Sequence, residues 1–279
     1  MSALQQLAVV VVGLAGVFGL LIGSFLNVVV YRVPAGLSVV RPASSCPQCG
    51  HEIRGFDNVP VLSWLILRGA CRDCGNRISA RYPLVEAATA ALFSVVAGMV
   101  LARAAGSGTT LVPTIGMLVV LLYLMAITVA LALIDVDTHR LPDKIVLPAY
   151  AVLAVLLTAT SAASGDWWAL VRAGIGMLVL LAVYFALAVA VPGGMGMGDV
   201  KLAGVLGLVL AYLGWGPLAV GAFGGFALGA IFAIGLLAAR RAKRGSGIPF
   251  GPWMLAGAWL GILCGGPLWD AYTGLIGLT

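Results

Sequence analysis

The sequence predicts an all-α polytopic membrane protein of about eight transmembrane helices, with a small cytoplasmic insertion, stapled by a four-cysteine metal site, between the first and second. Three observations carry that expectation. Hydrophobic residues make up 62% of the 279 and charged residues 9%, against roughly 45–50% and 25% in an average soluble domain. Apolar runs of bilayer-spanning length recur along the chain, and the basic residues fall almost wholly in alternate loops. So few charges cannot cover a soluble fold of this size, which excludes a soluble enzyme, a disordered chain and a coiled coil. The 38 glycines suit helices that approach one another closely in lipid.

The first apolar run covers about 7–30. No Lys or Arg precedes it, and it is too long for a signal-peptide core, so it reads as a retained span. Residues 31–83 differ from everything else: seven Arg, four Cys and no run long enough to cross a membrane. Further spans are expected at about 84–101, 111–134, 145–163, 168–191, 200–212, 217–239 and 250–276. The natural division is therefore a first transmembrane helix (1–30), a cytoplasmic cysteine domain (31–83) and a seven-helix membrane domain (84–279).

Sixteen basic residues fix the expected orientation. Arg32, Arg41, Arg54, Arg68, Arg72, Arg77 and Arg81 lie between spans one and two, and Arg140 and Lys144 between three and four. Lys201 sits at the five–six junction, and Arg240, Arg241, Lys243 and Arg244 lie between seven and eight. Only Arg103 and Arg172 fall on the other side, which predicts both termini outside and the four basic loops in the cytoplasm. The net charge of +6 is thereby explained by topology rather than by a nucleic-acid partner, and none is expected.

Within the insertion, Cys46-Pro-Gln-Cys49-Gly and Cys71-Arg-Asp-Cys74-Gly form two C-x2-C-G knuckles. The Gly after each pair supplies the tight turn that brings backbone N–H groups toward the thiolates. About fifty residues with little core need such a staple, and a reducing cytoplasm disfavours disulfides. Four thiolates suit one structural zinc per chain, with iron the chemical rival. They leave no open coordination position for catalysis. Cys264, inside the last span, reads as a packing residue.

Five of the ten acidic residues gather at membrane boundaries outside the cysteine cluster: Glu86, Asp135, Asp137, Asp143 and Asp199. Acids at such depth are costly unless partnered or wet, so each is a functional candidate. Glu86 and Asp143 also suit helix N-termini, Asp137 a solvated loop, and Asp199 an N-cap. The N-cap reading leaves Gly196-Met-Gly198 before Asp199 unexplained, a stretch that admits an extended chain close to the backbone. Two such acids brought together would share a proton, the equipment of an aspartic protease.

The ordered set of motifs resembles the bacterial type IV prepilin peptidases, which cleave leader peptides and N-methylate the product. The segment Gly23-Ser-Phe-Leu-Asn27-Val-Val-Val-Tyr-Arg32 is similar to that family's end of span one. The two cysteine knuckles, with Asp57-Asn-Val-Pro60, Ser63-Trp64 and Arg81-Tyr-Pro-Leu-Val-Glu86, resemble its cytoplasmic domain. Asp135 with Leu141-Pro-Asp143, then Gly196-Met-Gly198-Asp199-Val-Lys201, then Pro249-Phe-Gly251-Pro252 complete the order.

The resemblance implies that Asp135 and Asp199 are the catalytic pair of a Gly-x-Gly-Asp membrane aspartic protease. Gly196, Gly198, Lys201, Asp143, Pro249 and Gly251 are expected to support them. It implies type IV prepilins and pseudopilins as substrates, cut at the cytoplasmic face of the inner membrane and serving type IV pili or type II secretion. It also implies methylation of the new N-terminus with S-adenosylmethionine as methyl donor; the intact cysteine domain favours that second activity. No Gly-rich fingerprint of soluble methyltransferases is present. The alternatives are a prepilin-like peptidase without methylation and, from another class, a proton-coupled transporter, which would carry its acids near span centres.

Overall fold

The structure, a computed structural model, describes residues 3–191, 194–239 and 249–277. The basic cluster Arg240, Arg241, Lys243 and Arg244 lies outside the described residues. Nine α-helices are described: α1 (Ala3–Arg32), α2 (Leu62–Ile66), α3 (Arg81–Ser107), α4 (Leu111–Thr138), α5 (Asp143–Ser164), α6 (Trp167–Ala190), α7 (Met197–Leu213), α8 (Trp215–Ala238) and α9 (Gly251–Leu275). All but α2 correspond to the eight expected spans.

Six of these helices (α1, α3, α4, α5, α6 and α8) are long and apolar enough to cross a membrane by length and composition. The other two expected spans are helical but fall outside that set. Helix α7 has only 17 residues, and α9, though unbroken, carries Gly265-Gly266-Pro267 and a mix of Trp, Tyr and Asp along its length.

By contacts, the chain divides into two units: Met1–Thr109 with Leu121–Ala130, and Thr110–Val120 with Leu131–Thr279. In the first, α1 and α3 run side by side. Gly16, Gly19 and Gly23 recur at helical spacing on the α1 face that meets α3. A Cβ on Gly19 would stand 2.8 Å from Ala90 Cα, and one on Gly23 2.7 Å from Glu86 Cα. Small residues let the two backbones approach, the usual packing device where lipid removes any hydrophobic drive between helices.

In the second unit, α7 packs against α5, α6, α8 and α9, and apart from half-buried Lys201 every residue from Val200 to Tyr212 is buried. That explains a helix apolar all round. Glycines again set the close contacts: a Cβ on Gly207 would strike the Gly176 carbonyl of α6, and one on Gly257 of α9 would strike the Gly225 backbone of α8.

At the far end of α7, Arg172 of α6 donates to the carbonyls of Ala211 and Tyr212 at 2.5 and 2.6 Å. These carbonyls belong to the last turn and have no intrahelical partner. One of the two arginines on the minority side of the charge count is thus a helix cap.

Candidate active site and metal centre

Helix α4 ends within one turn of Asp135. His139, in the left-handed region at φ 52°, closes it with its N–H on the Asp135 carbonyl at 2.8 Å. The Asp135 side chain is 5% exposed, and its Oδ2 accepts the backbone N–H of Gly251 at 3.0 Å. Gly251 is the first residue of α9, so the carboxylate sits where unsatisfied N–H groups and the helix dipole favour negative charge. Glycine leaves the carboxylate in place there: a Cβ would stand 2.7 Å from Asp135 Oδ2 and displace it.

Asp199 is the third residue of α7. Its Oδ2 accepts the N–H of the N-cap residue Gly196 at 3.1 Å, the backward half of a capping box; Gly196 has no side chain to supply the forward half. Asp199 therefore does not cap its helix itself, as one sequence reading allowed, but reaches back from inside the first turn.

One residue ties the two carboxylate environments together. A Cβ on Gly198 would lie 2.9 Å from Leu141 Cβ, and a Cβ on Gly251 would lie 3.2 Å from Leu141 Cδ2. Leu141 is thus wedged between the start of α7 and the start of α9, and Asp135 is close enough to Asp199 for their charges to interact. The sequence marks Leu141 only as part of the Leu141-Pro-Asp143 motif and gives it no role, because an apolar residue beside a Pro-Asp pair carries no chemical signal.

The remaining expected supports fall around this pair. Lys201 Nζ meets both oxygens of Asp143 at 2.8 Å, joining the start of α5 to α7, and Tyr150 donates to the Lys201 carbonyl at 2.6 Å. Pro249 is half-buried just ahead of α9, whereas Asp137 is exposed. The rings of Tyr184, Phe226 and Phe250 cluster at centroid distances of 5.2–6.4 Å, with the Tyr184 phenol within electrostatic range of Asp199. Of that cluster only Phe250 lies in a motif singled out in the sequence; Tyr184 and Phe226 do not. Two carboxylates so placed can activate a water and protonate a carbonyl oxygen. Glu86 lies elsewhere, buried on α3 in the first unit.

The four cysteines also converge. The knuckles are copies of one another. Cys46 N–H bonds the His51 carbonyl at 2.9 Å and Cys71 N–H the Asn76 carbonyl at 2.8 Å, while Gly50 and Gly75 turn back onto the Cys46 and Cys71 carbonyls. Gly50 and Gly75 adopt φ of 72° and 70°, the left-handed turn expected of them. The four Sγ atoms lie within 4.8 Å of one another and can hold a metal ion. The Cys46–Cys74 separation of 3.8 Å equals the edge of a tetrahedron with Zn–S bonds of about 2.3 Å.

Backbone N–H groups of Cys49 and Gln48 pull the Cys46 thiol down to about 6. Cys74 is pushed up to about 12: the Asn76 N–H lowers it, but burial and three neighbouring thiols outweigh that. Four thiols this close cannot all ionise without a cation, which is what a bound metal supplies. Around them Arg72 grips Asp57 through Nε and Nη2 at 2.6–3.0 Å and lies over the Phe56 ring, and Arg54 meets Asp73 at 2.9 Å.

Comparison with known proteins adds a family context to this geometry. Residues 17–100 match the model of the bacterial peptidase A24 N-terminal domain, and residues 120–234 that of the type IV leader peptidase family. A prepilin leader peptidase/N-methyltransferase of Aeromonas salmonicida is 39% identical, with 89% of each chain covered. Its namesake in Pseudomonas putida is 40% identical, covering 95% of this chain and 94% of its own. That of Neisseria gonorrhoeae is 33% identical over 97% and 96%. No solved structure matches the chain.

Proposed function

The chain belongs to the type IV leader peptidase family, and from that premise we propose that it is a multi-pass membrane enzyme that removes the leader of type IV prepilins and pseudopilins and N-methylates the product. Asp135 and Asp199 carry the cleavage. One carboxylate, ionised, takes a proton from water as its oxygen attacks the scissile carbonyl carbon. The other, protonated, gives its proton to the carbonyl oxygen. When the tetrahedral intermediate collapses, the C–N bond breaks and the amine leaves with a proton. The Gly251 N–H on Asp135 and the Gly196 N–H on Asp199 orient the two carboxylates. Gly196, exposed at the start of α7, leaves room for an extended leader, whereas the space at Gly198 is taken by Leu141; Pro249 and Gly251 shape the cleft beside it.

The observation that carries this reading is the Leu141 wedge, which packs on Gly198 and Gly251 at once and so draws the two aspartates toward each other. In the proposed division, 84–279 holds the peptidase and 31–83 the methyltransferase-associated domain, stapled by one structural zinc on Cys46, Cys49, Cys71 and Cys74. S-adenosylmethionine supplies the methyl group for the new amine. The basic-residue count supports termini outside and the aspartates and cysteines at the cytoplasmic face of the inner membrane.

The test is mass spectrometry of a co-expressed prepilin. The parent chain should yield a cut, methylated product, and Asp135→Asn or Asp199→Asn should each lower cleavage by about a thousandfold. Cleavage at the parent rate in either variant overturns the aspartate assignment. A cut product without the added methyl group instead favours a peptidase lacking the second activity.

A further inference from the structure

A strained turn in the cytoplasmic insertion places one short helix where lipid, rather than water, should cover it. Val61 has φ 61° and ψ −49°, and Leu62 N–H bonds the Pro60 carbonyl at 2.6 Å. This is a γ-turn of the rare positive-φ form, centred on a β-branched residue that normally avoids it. Such strain persists only where surrounding contacts enforce it. Here the Val61 N–H is held at 2.7 Å by Oε2 of Glu86, a buried carboxylate on α3.

That bond sets the height of α2. Glu86 lies beside Gly23 of α1, nine residues before the end of α1 at Arg32. At 1.5 Å per residue this is about 13 Å inside the helix end. On α3 the same carboxylate is five residues inside Arg81, about 8 Å, so the start of α2 lies level with the boundary ends of the two spans rather than beyond them. A second staple fixes which way α2 faces. Trp64 donates its indole N–H to the Ile78 carbonyl at 3.1 Å and packs on Gly69, and Ser63 is buried with its hydroxyl on the Phe56 carbonyl. What remains outward is apolar: Leu62 and Leu65 are 57% exposed and Ile66 75%.

Charge complements this face. Residues 31–83 contain seven Arg, no Lys and three acids, Glu52, Asp57 and Asp73. Asp57 and Asp73 are taken by Arg72 and Arg54. Arg68, two residues past α2, is exposed, as are Arg41 and Arg77.

We propose that α2 seats in the same leaflet from which α1 and α3 emerge, with Leu62, Leu65 and Ile66 among acyl chains and the exposed arginines on anionic headgroups. The insertion is then a monotopic platform lying on the membrane, continuous with the lipid contact of its flanking spans. This inference does not depend on the peptidase or methyltransferase assignments.

The full chain in nanodiscs of phosphatidylglycerol and phosphatidylethanolamine, carrying a benzophenone amino acid at position 66, tests it. Illumination should give phospholipid adducts about tenfold more often than from position 51, at the exposed tip of the first knuckle. A probe at position 62 in the chain carrying Leu65→Glu and Ile66→Glu should lose most of that yield. Replacing phosphatidylglycerol by phosphatidylcholine should lower the yield at 66 by about fivefold, roughly what one engaged arginine contributes. Equal yields at 66 and 51, adducts to a second copy or to another protein segment, or indifference to the glutamates would each overturn the proposal. An unchanged yield without phosphatidylglycerol overturns the role of the arginines.

Discussion

The backbone N–H of Gly251 and the carboxylate of Asp135 meet across 3.0 Å, in a space that admits no side chain. The first residue of the last helix thereby fixes the orientation of an acid that arrives from 116 residues earlier in the chain.

Gly251→Ala should consequently damage catalysis more than folding. The added methyl would stand 2.7 Å from Asp135 Oδ2 and 3.3 Å from its Cγ, so the carboxylate must move. Displacements of that order cost about a hundredfold in rate. Initial rates of prepilin cleavage, with helix content measured alongside, check this; a parent-like rate would show that Asp135 needs no such support.

The Lys201–Asp143 pair should matter little to stability. Its side chains are 34% and 54% exposed, and such pairs contribute about 0–1 kcal/mol. Asp143→Asn should keep the fold and retain most cleavage, far from the loss expected of Asp135→Asn. If Asp143→Asn instead abolishes cleavage while Asp135→Asn does not, the first catalytic acid has been placed one loop too early.

In the cysteine domain, the Arg72 guanidinium, bonded to Asp57, holds that carboxyl below its usual range. Lowering a carboxyl in the folded state adds stability above its ordinary value, about 3.9, and that stability is lost as pH falls through the folded value. Limited proteolysis of 42–80 should therefore separate the parent from Arg72→Met at neutral pH. The difference should vanish at strongly acidic pH, where Asp57 is protonated in both. A gap that persists there would trace the effect to the lost Arg72–Phe56 contact instead.

Metal removal should divide the two activities. One zinc per chain is expected, and any single Cys→Ser change among the four ligands should release it and loosen 42–83. Methylation should then disappear while cleavage survives. Elemental analysis that finds iron, or no stoichiometric metal, would refute the zinc assignment. Loss of both activities together would refute the division of labour.

What the sequence disclosed follows the range of each signal. The eight long helices were legible because apolar runs are local, and the Gly50 and Gly75 turns because the C-x2-C-G pattern demands them. The aspartates were marked by their cost at a membrane boundary, but their pairing was legible only through the family resemblance and not from the residues themselves. In the structure Leu141 packs on both Gly198 and Gly251, which are far apart in the chain, and helix packing leaves no periodic trace. The Val61 turn was hidden for the same reason, since it is enforced by Glu86 from another element.

Helix α7 has a bearing on how the protein is made. Its 17 residues reach about 26 Å, short of a hydrocarbon core of about 30 Å, and its apolar surface is spent on α5, α6, α8 and α9. Such a segment gains little by entering lipid alone. Its burial is completed only by neighbours, two of which, α8 and α9, follow it in the chain. Asp199 rides on that helix, so a chain that stops before α7 holds Asp135 without Asp199, and one that stops before α9 lacks the Gly251 N–H that Asp135 accepts. With cleavage resting on the two aspartates as proposed, proteolytic competence would wait for the last helix, and an unfinished chain would be silent.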